Sequence, residues 1–362
     1  MIWKTFGGSF AVAVVGLLLA LLYGSGTGLA VAAILAVLEV SLSFDNAVVN
    51  ATVLVRMNQF WQRIFLTVGV AIAVFGMRLV FPLLIVGITA KLSPVEAIRL
   101  ALQKGDPNKH GTYGYLLHQA HPAIAAFGGI FLLLLFLDFI LEERELTWLS
   151  WIERPLARIG KLDQLSVVIA LAALAVSAYT LAPSDKVSTV LVSGVLGMAT
   201  YLVVNGLGEF FDTEQEGEET EGGGRRVVLA VGKAAFFLFL YLEVLDASFS
   251  FDGVVGAFAI TSDPIIIAIG LGIGAMFIRS LTVYLVHKGT LQEYVFLEHG
   301  ALWAIGALSV VLLITMRYSV PEVVTGLIGV GFIGAAFVSS VVRNRRAEPD
   351  NVSEVETAHS AV

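Results

Sequence analysis

The sequence predicts an all-α, polytopic membrane protein of about ten transmembrane helices, arranged as an inverted 5+5 repeat. Three observations carry this expectation. Apolar residues make up 57% of the 362 positions and charged residues only 14%, where a soluble domain carries about 25% charge. Mean hydropathy is +0.86, and so few charges do not cover a water-facing surface. Apolar stretches of the ~20 residues needed to cross a bilayer recur along the chain. One short polar motif occurs twice, each time inside such a stretch. This composition excludes disorder, a collagen-like chain and nucleic-acid binding as descriptions of the whole molecule. The chain has no cysteine, which removes disulfides, thiolate metal sites and cysteine nucleophiles.

The apolar stretches are 9–23, 29–55, 64–89, 123–141, 165–183, 187–208, 233–260, 264–287, 299–316 and 321–342. The first follows Lys4 and is short enough to pass for a signal peptide. No small-residue cleavage site follows promptly, so it is read as a retained span. The second and seventh are long enough to tilt or break. Residues 90–122 form a polar loop with Pro94, Pro107, His110, His118 and His121. Residues 209–226 are acidic and glycine-rich, which suits a flexible solvated linker, with a cation-attracting or partner-binding segment as the alternative. Residues 343–362 read as a disordered tail. With the N-terminus in the cytoplasm, fourteen lysines and arginines fall inside and six outside. That bias supports ten spans with both termini cytoplasmic, in the inner (plasma) membrane.

The repeat is the most specific signal. Residues 39–46 read EVSLSFDN and residues 246–253 read DASFSFDG, so that Ser41, Ser43, Phe44 and Asp45 match Ser248, Ser250, Phe251 and Asp252. Gly69 and Arg78 then match Gly270 and Arg279. HPAIAAFGG from His121 resembles HGALWAIGA from His299. The two motif spans are five apart. Five is odd, so the second copy runs the opposite way through the membrane, as in many secondary transporters. The halves are residues 1–186 and 187–342.

An acid at the bilayer centre costs a few kcal/mol unless it faces water, a cation or a partner. Glu39, Asp45, Asp246 and Asp252, flanked by Ser43, Asn46 and Ser250, therefore look like an oxygen-ligand cage rather than packing between helices. Oxygen ligands favour hard cations: Mn²⁺, Mg²⁺ or Ca²⁺. Glu39, Ser43, Asn46 and Asn50 form one helical stripe, with Asp45 about 120° away from Glu39. Either the helix unwinds near Asp45, which Asn46 and Gly253 after the aspartates favour and which would free backbone carbonyls as ligands, or the acids serve two neighbouring surfaces. Arg78 and Arg279 either pair with these acids or snorkel to an interface. His121 and His299 are gate ligands or interfacial histidines. Glu243, whose counterpart is Ala36, is an extra ligand or a proton carrier. Asp138 lies near a span end and reads as interfacial. No HExxH, P-loop, GxSxG or Rossmann fingerprint is present, nor the Gly-x-Gly-Asp of intramembrane aspartyl proteases, so the chain is not expected to be an enzyme.

At EVSLSFDN and its second copy, the sequence resembles the TerC-like integral membrane proteins of the LysE transporter superfamily. It is similar to their branch known as domain of unknown function 475, from about residue 30 to 342. The resemblance implies a link to tellurium (tellurite) resistance and to Mn²⁺ export. It also implies cation-site roles for Glu39, Asp45, Asn46, Asp246 and Asp252. Gly253 stands where the first copy has Asn46, and the chain is longer than compact TerC proteins.

The expected function is secondary transport of a divalent cation, most of all Mn²⁺ export, in which the ion is cargo and no cofactor is permanently bound. Protons are a natural coupling ion. The expected partners are the lipid bilayer and the cation, with no nucleic acid and no protein partner specified. Two alternatives stand beside this: an exporter of small organic cations such as basic amino acids, and a non-transporting scaffold in an envelope-stress or tellurite-response complex.

Overall fold

The computed structural model describes the backbone of residues 2–106, 108–144, 146–162, 164–216, 230–288 and 293–359. Among them there is no β-strand, only an isolated bridge pairing Met57 with Ala230. The helices, in order, are α1 (Ile2–Leu42), α2 (Phe44–Leu54), α3 (Gln59–Ile64), α4 (Phe81–Thr89), α5 (Pro94–Leu102), α6 (Tyr113–Leu141), α7 (Ser150–Ile159), α8 (Leu165–Thr180), α9 (Val187–Glu216), α10 (Gly232–Ile260), α11 (Pro264–Lys288), α12 (Leu297–Thr315) and α13 (Glu322–His359). Among the described residues, seven helical stretches are long and apolar enough to cross a membrane.

One of those seven, Thr5–Ser41, is not a straight rod. Ser25 has φ 57° and ψ −157°, well outside helical geometry, and the chain folds back there. In the first arm, Ser9 hydrogen-bonds the Met276 carbonyl and meets Ser280, and Gly24 lies against Ile266. In the second arm, Gly28 again touches Ile266, while Glu39 packs on Gly274. Partner numbers on α11 fall along the first arm and rise along the second. The two arms therefore run antiparallel, side by side on α11. Ala20 and Ala32 are buried together with Ile266 at the closed end. The sequence places two separate apolar stretches here, 9–23 and 29–55, and the reversal falls between them.

The second arm breaks once more. Ser43 leaves helical geometry (φ −99°, ψ 18°) and separates α1 from α2. The stretch from Gln59 to Thr89 is helical throughout, but Phe65–Gly69 and Ile72–Val80 are π-helical. Such widened turns are rare and frequently mark functional positions.

Several boundaries differ from the sequence expectation. The polar region 90–122 is not a plain loop. It contains α5, closed by a Ser93–Glu96 capping box, and the first turns of α6, capped by Thr112. His118 and His121 thus stand on a helix. Hydropathy does not register the polar turns of α6 that precede its apolar part. The last helix continues to His359, through the segment read as a disordered tail. Of the acidic segment 209–226, the part up to Glu216 extends α9, and the remainder lies outside the described residues.

The helix ends sort into two sets. At one end Lys104 bonds Asp263 at 2.7 Å, sits over the Tyr23 ring, and accepts at its carbonyl from Ser262. The bond to Asp263, then that to Tyr23, pushes Lys104 up to about 12. The same end holds Lys186, which donates to Gln119, and Arg317, which donates to the Thr180 carbonyl. The other end holds the Arg56–Ala230 backbone contact, the Arg144–Glu298 ion pair at 3.9 Å, and Asn344 donating to the Glu293 carbonyl. The largest buried cluster lies between these ends, with α6, α9, α10 and α12 contributing Phe131, Tyr201, Leu245 and Ile305.

Candidate functional site

The site forms where the second arm of α1 meets α10 and α11. Glu39 is 3% exposed. Its Oε1 accepts from the Ser43 hydroxyl at 3.1 Å and from the Arg78 guanidinium. Arg78 comes from the π-helical turn and also donates to the Ala73 carbonyl at 2.6 Å. Two glycines make room for this carboxylate. A Cβ on Gly274 would lie 2.4 Å from Glu39 Cβ, and one on Gly253 would lie 3.1 Å from Oε2. The expectation that Gly253 unwinds its helix is not met, because α10 runs unbroken from Gly232 to Ile260. Gly253 instead permits close approach: it brings the second motif onto the acid of the first. In the first copy the break falls at Ser43, ahead of Asp45 and Asn46, which are helical in α2.

A second charged cluster mirrors the first. Arg279, 2% exposed, donates to Glu243 at 3.2 Å and to Asp246 at 3.3 Å. It also bonds the Phe65 carbonyl at 3.0 Å and stacks over the Phe65 ring, 3.9 Å from its centroid. In the duplicated alignment Glu39 corresponds to Asp246 and Arg78 to Arg279, so both copies build the same acid–arginine pair. The arginines are buried partners rather than snorkelling side chains. Burying such charges is tolerable only because they are paired. Glu243 has no counterpart in the first half. It leaves the second cluster with two carboxylates for one guanidinium.

A cavity of about 570 Å³ leads to the first cluster. Glu39, Ser43 and Asn46 line it from one side and Gly253 from the other, with His118 and His121 farther along. The loop from Arg317 to Pro321 forms part of its wall, so the cavity lies toward the end that holds Lys104 and Lys186. The first motif gives it a carboxylate, a hydroxyl and an amide, and His118, His121, Arg317 and Tyr318 add to its polar lining.

The remaining expected residues are placed as follows. Asp246, Glu243 and Arg279 form the second cluster and do not line this cavity. His299 lies at the opposite end, buried, with Nε2 at 3.1 Å from the Leu146 carbonyl. Asp138 accepts from the Tyr201 hydroxyl at 2.7 Å and does not line this cavity. The side chains of Asp45, Ser250 and Asp252 lie outside the described residues. Among the described residues, no group of three histidine, aspartate or glutamate side chains could hold a metal ion. The described acids of the expected cage face arginines instead. His118 also lines the cavity, from the first turns of α6 rather than from a loop. Its signal is the spacing of three to His121, which puts both on one face of a helix.

The chain matches no curated protein and no solved structure. Residues 44–347 match the family described as protein of unknown function DUF475, a stretch that takes in Arg78, both histidines and the whole second motif while leaving out the hairpin and Glu39. The chain belongs to the DUF475 family.

Proposed function

We propose that this protein is a secondary membrane transporter of divalent metal cations, with Mn²⁺ as its cargo and export as its direction. The observation that carries this reading is the cavity that ends on Glu39, Ser43 and Asn46 at the crossing of the two motifs. A hard cation prefers such oxygen ligands. The guanidinium of Arg78 occupies the carboxylate in the cation's absence. An incoming ion competes with it, and its return expels the ion, so that binding remains reversible. The resemblance to TerC-like proteins supports the same cargo and is the only link to tellurium resistance.

The reading includes ten membrane crossings in an inverted 5+5 repeat, with both termini cytoplasmic in the plasma membrane. Counting the two arms of α1 separately, and adding α8 and α10 to the remaining six stretches, makes ten. The acid–arginine pair recurs in both halves, while His121 and His299 stand at opposite ends, as inverted copies require. An acid vacated by a cation readily takes a proton, which makes antiport the natural energy source.

A second reading is favoured by the cavity's size. Its volume of about 570 Å³ far exceeds a bare ion and falls within the range of small-molecule sites, so a small organic cation such as a basic amino acid is the alternative cargo.

The test is calorimetric titration of the detergent-solubilised protein with Mn²⁺, Mg²⁺, Ca²⁺ and lysine, using Glu39→Gln as the site control. Saturable Mn²⁺ binding that Glu39→Gln weakens roughly 10-fold or more supports the reading, the size of loss typical when a metal site is disturbed. Binding of lysine without any divalent ion transfers the site to the organic-cation reading. No binding of either removes both.

A further inference from the structure

The polar stripe on α2 does not stop at the cavity. Asn50 lies one turn beyond Asn46 and is fully buried. Neither its amide oxygen nor its amide nitrogen has a hydrogen-bond partner. A buried orphan amide destabilises a fold and calls for an explanation other than packing.

A second cavity, of about 640 Å³, opens at the opposite end of the same helices. On α6 the first cavity takes His118 and His121 near the N-terminus, and the second takes Leu135 and Asp138 near the C-terminus. On α12 the order is reversed, with Thr315 in the first and Glu298 in the second. On α2 the two nearly meet. Asn46 lines the first, while Val49 and Val53 line the second. At 1.5 Å per residue, Asn46 and Val49 are only about 4.5 Å apart along the helix. At 100° per residue, Asn46, Val49, Asn50 and Val53 share an arc of roughly 100°. The partition between the cavities is therefore thinnest along α2, on the face that carries Asn50.

We propose that Asn50 is a relay ligand on a cation path that crosses the molecule along α2. The path runs from the Glu39 cavity into the opposite cavity, where Asp138 is the carboxylate that receives the ion. The Tyr201 hydroxyl orients that carboxylate. The amide oxygen of Asn50 is a hard ligand without net charge. It compensates a passing ion for lost water but does not trap it, as conduction through a narrow passage requires. This inference rests on the transport reading.

The experiment uses the full chain reconstituted in vesicles, with Mn²⁺ as the probe. Asn50→Leu keeps the branched shape at Cγ, at a somewhat larger volume, and removes the ligand. It is expected to lower Mn²⁺ flux roughly 10-fold or more, with Mn²⁺ affinity in detergent unchanged and thermal stability equal or higher. Asn50→Ser, which restores an oxygen, is expected to recover most of the flux. Because the chain has no cysteine, Ser43→Cys and Thr52→Cys each carry a single thiol. A membrane-impermeant maleimide is expected to reach them from opposite faces. Unchanged flux in Asn50→Leu, or labelling of both thiols from one face, overturns the proposal. So does a Leu variant that fails to fold, which marks Asn50 as a packing residue. If the unmodified chain binds and passes no Mn²⁺, the transport reading itself fails and the relay falls with it; loss of the relay alone leaves wild-type binding and flux intact.

Discussion

Glu39 and Arg78 are worth more to each other than to the fold. Each is nearly free of solvent exposure, and each would be left as an uncompensated buried charge without its partner. Removing one partner of such a pair typically costs about 3–5 kcal/mol, whereas an apolar pair of similar volume is often neutral or stabilising. Arg78→Met alone is therefore expected to lower the melting temperature sharply. The double variant Glu39→Leu with Arg78→Met is expected to recover that stability while abolishing cation binding. Thermal unfolding and titration of the same preparations check both halves of the statement, and a double variant no more stable than the single one refutes it. The motif, the in-span arginines and their shared order were legible in the sequence, because intramembrane charges are rare and a repeated pattern stands out. The role of Gly253 was not. Its reason is a carboxylate on another helix, and nothing in the local sequence announces a neighbour brought there by tertiary packing. His118 was missed for a different reason: polar first turns of a helix are indistinguishable from a loop on a hydropathy scale.

Among the elements, the α1 hairpin is the one whose form depends most on a single residue. Ser25 holds a positive φ with an extended ψ, a glycine-favouring conformation that costs a residue with a Cβ about 1–3 kcal/mol. The neighbouring Gly24 and Gly26 give the chain freedom around it. Ser25→Gly is expected to raise thermal stability by an amount of that order without changing Mn²⁺ binding. A loss of stability would show that the serine makes contacts that outweigh its strain. The reversal itself was foreshadowed by the gap between two apolar stretches. The π-helical turns after Phe65 were not, since their apolar residues fit an ordinary helix equally well. Widening there sets Arg78 on Glu39 and lets Gly69 pass within 2.5–2.6 Å, at a notional Cβ, of Arg279 and Glu243.

For the molecule as a whole, the two acid–arginine clusters differ by one carboxylate among the described residues. Among the described residues, Arg78 pairs with one carboxylate, Glu39, while Arg279 meets two, Glu243 and Asp246. A buried surplus of this kind must be met by a proton or a cation. Coupling to protons gives that surplus a use: Mn²⁺ flux into vesicles is expected to accelerate when a pH gradient is imposed in the antiport sense. Flux indifferent to the gradient removes proton antiport and leaves the membrane potential as the driving force. The total helical architecture and the pseudo-symmetry of the polar residues followed from hydropathy and repetition. The cavities did not, because empty space is a property of how helices lean on each other rather than of any one stretch.

The seat of the α1 hairpin on α11 also bears on how the molecule is made. Both arms of the hairpin complete their packing on a helix far later in the chain, with Gly16 of the first arm meeting Ile273 and Glu39 of the second meeting Gly274. During synthesis the hairpin enters the bilayer long before α11 emerges from the ribosome. Until then its small-residue seam has no mate, and Glu39, although Arg78 follows soon after it in the chain, lacks the α11 groove beside it. The nascent hairpin is thus an open clasp that only late translation closes, so a chain truncated before α11 should be a client for membrane quality control rather than a stable fragment.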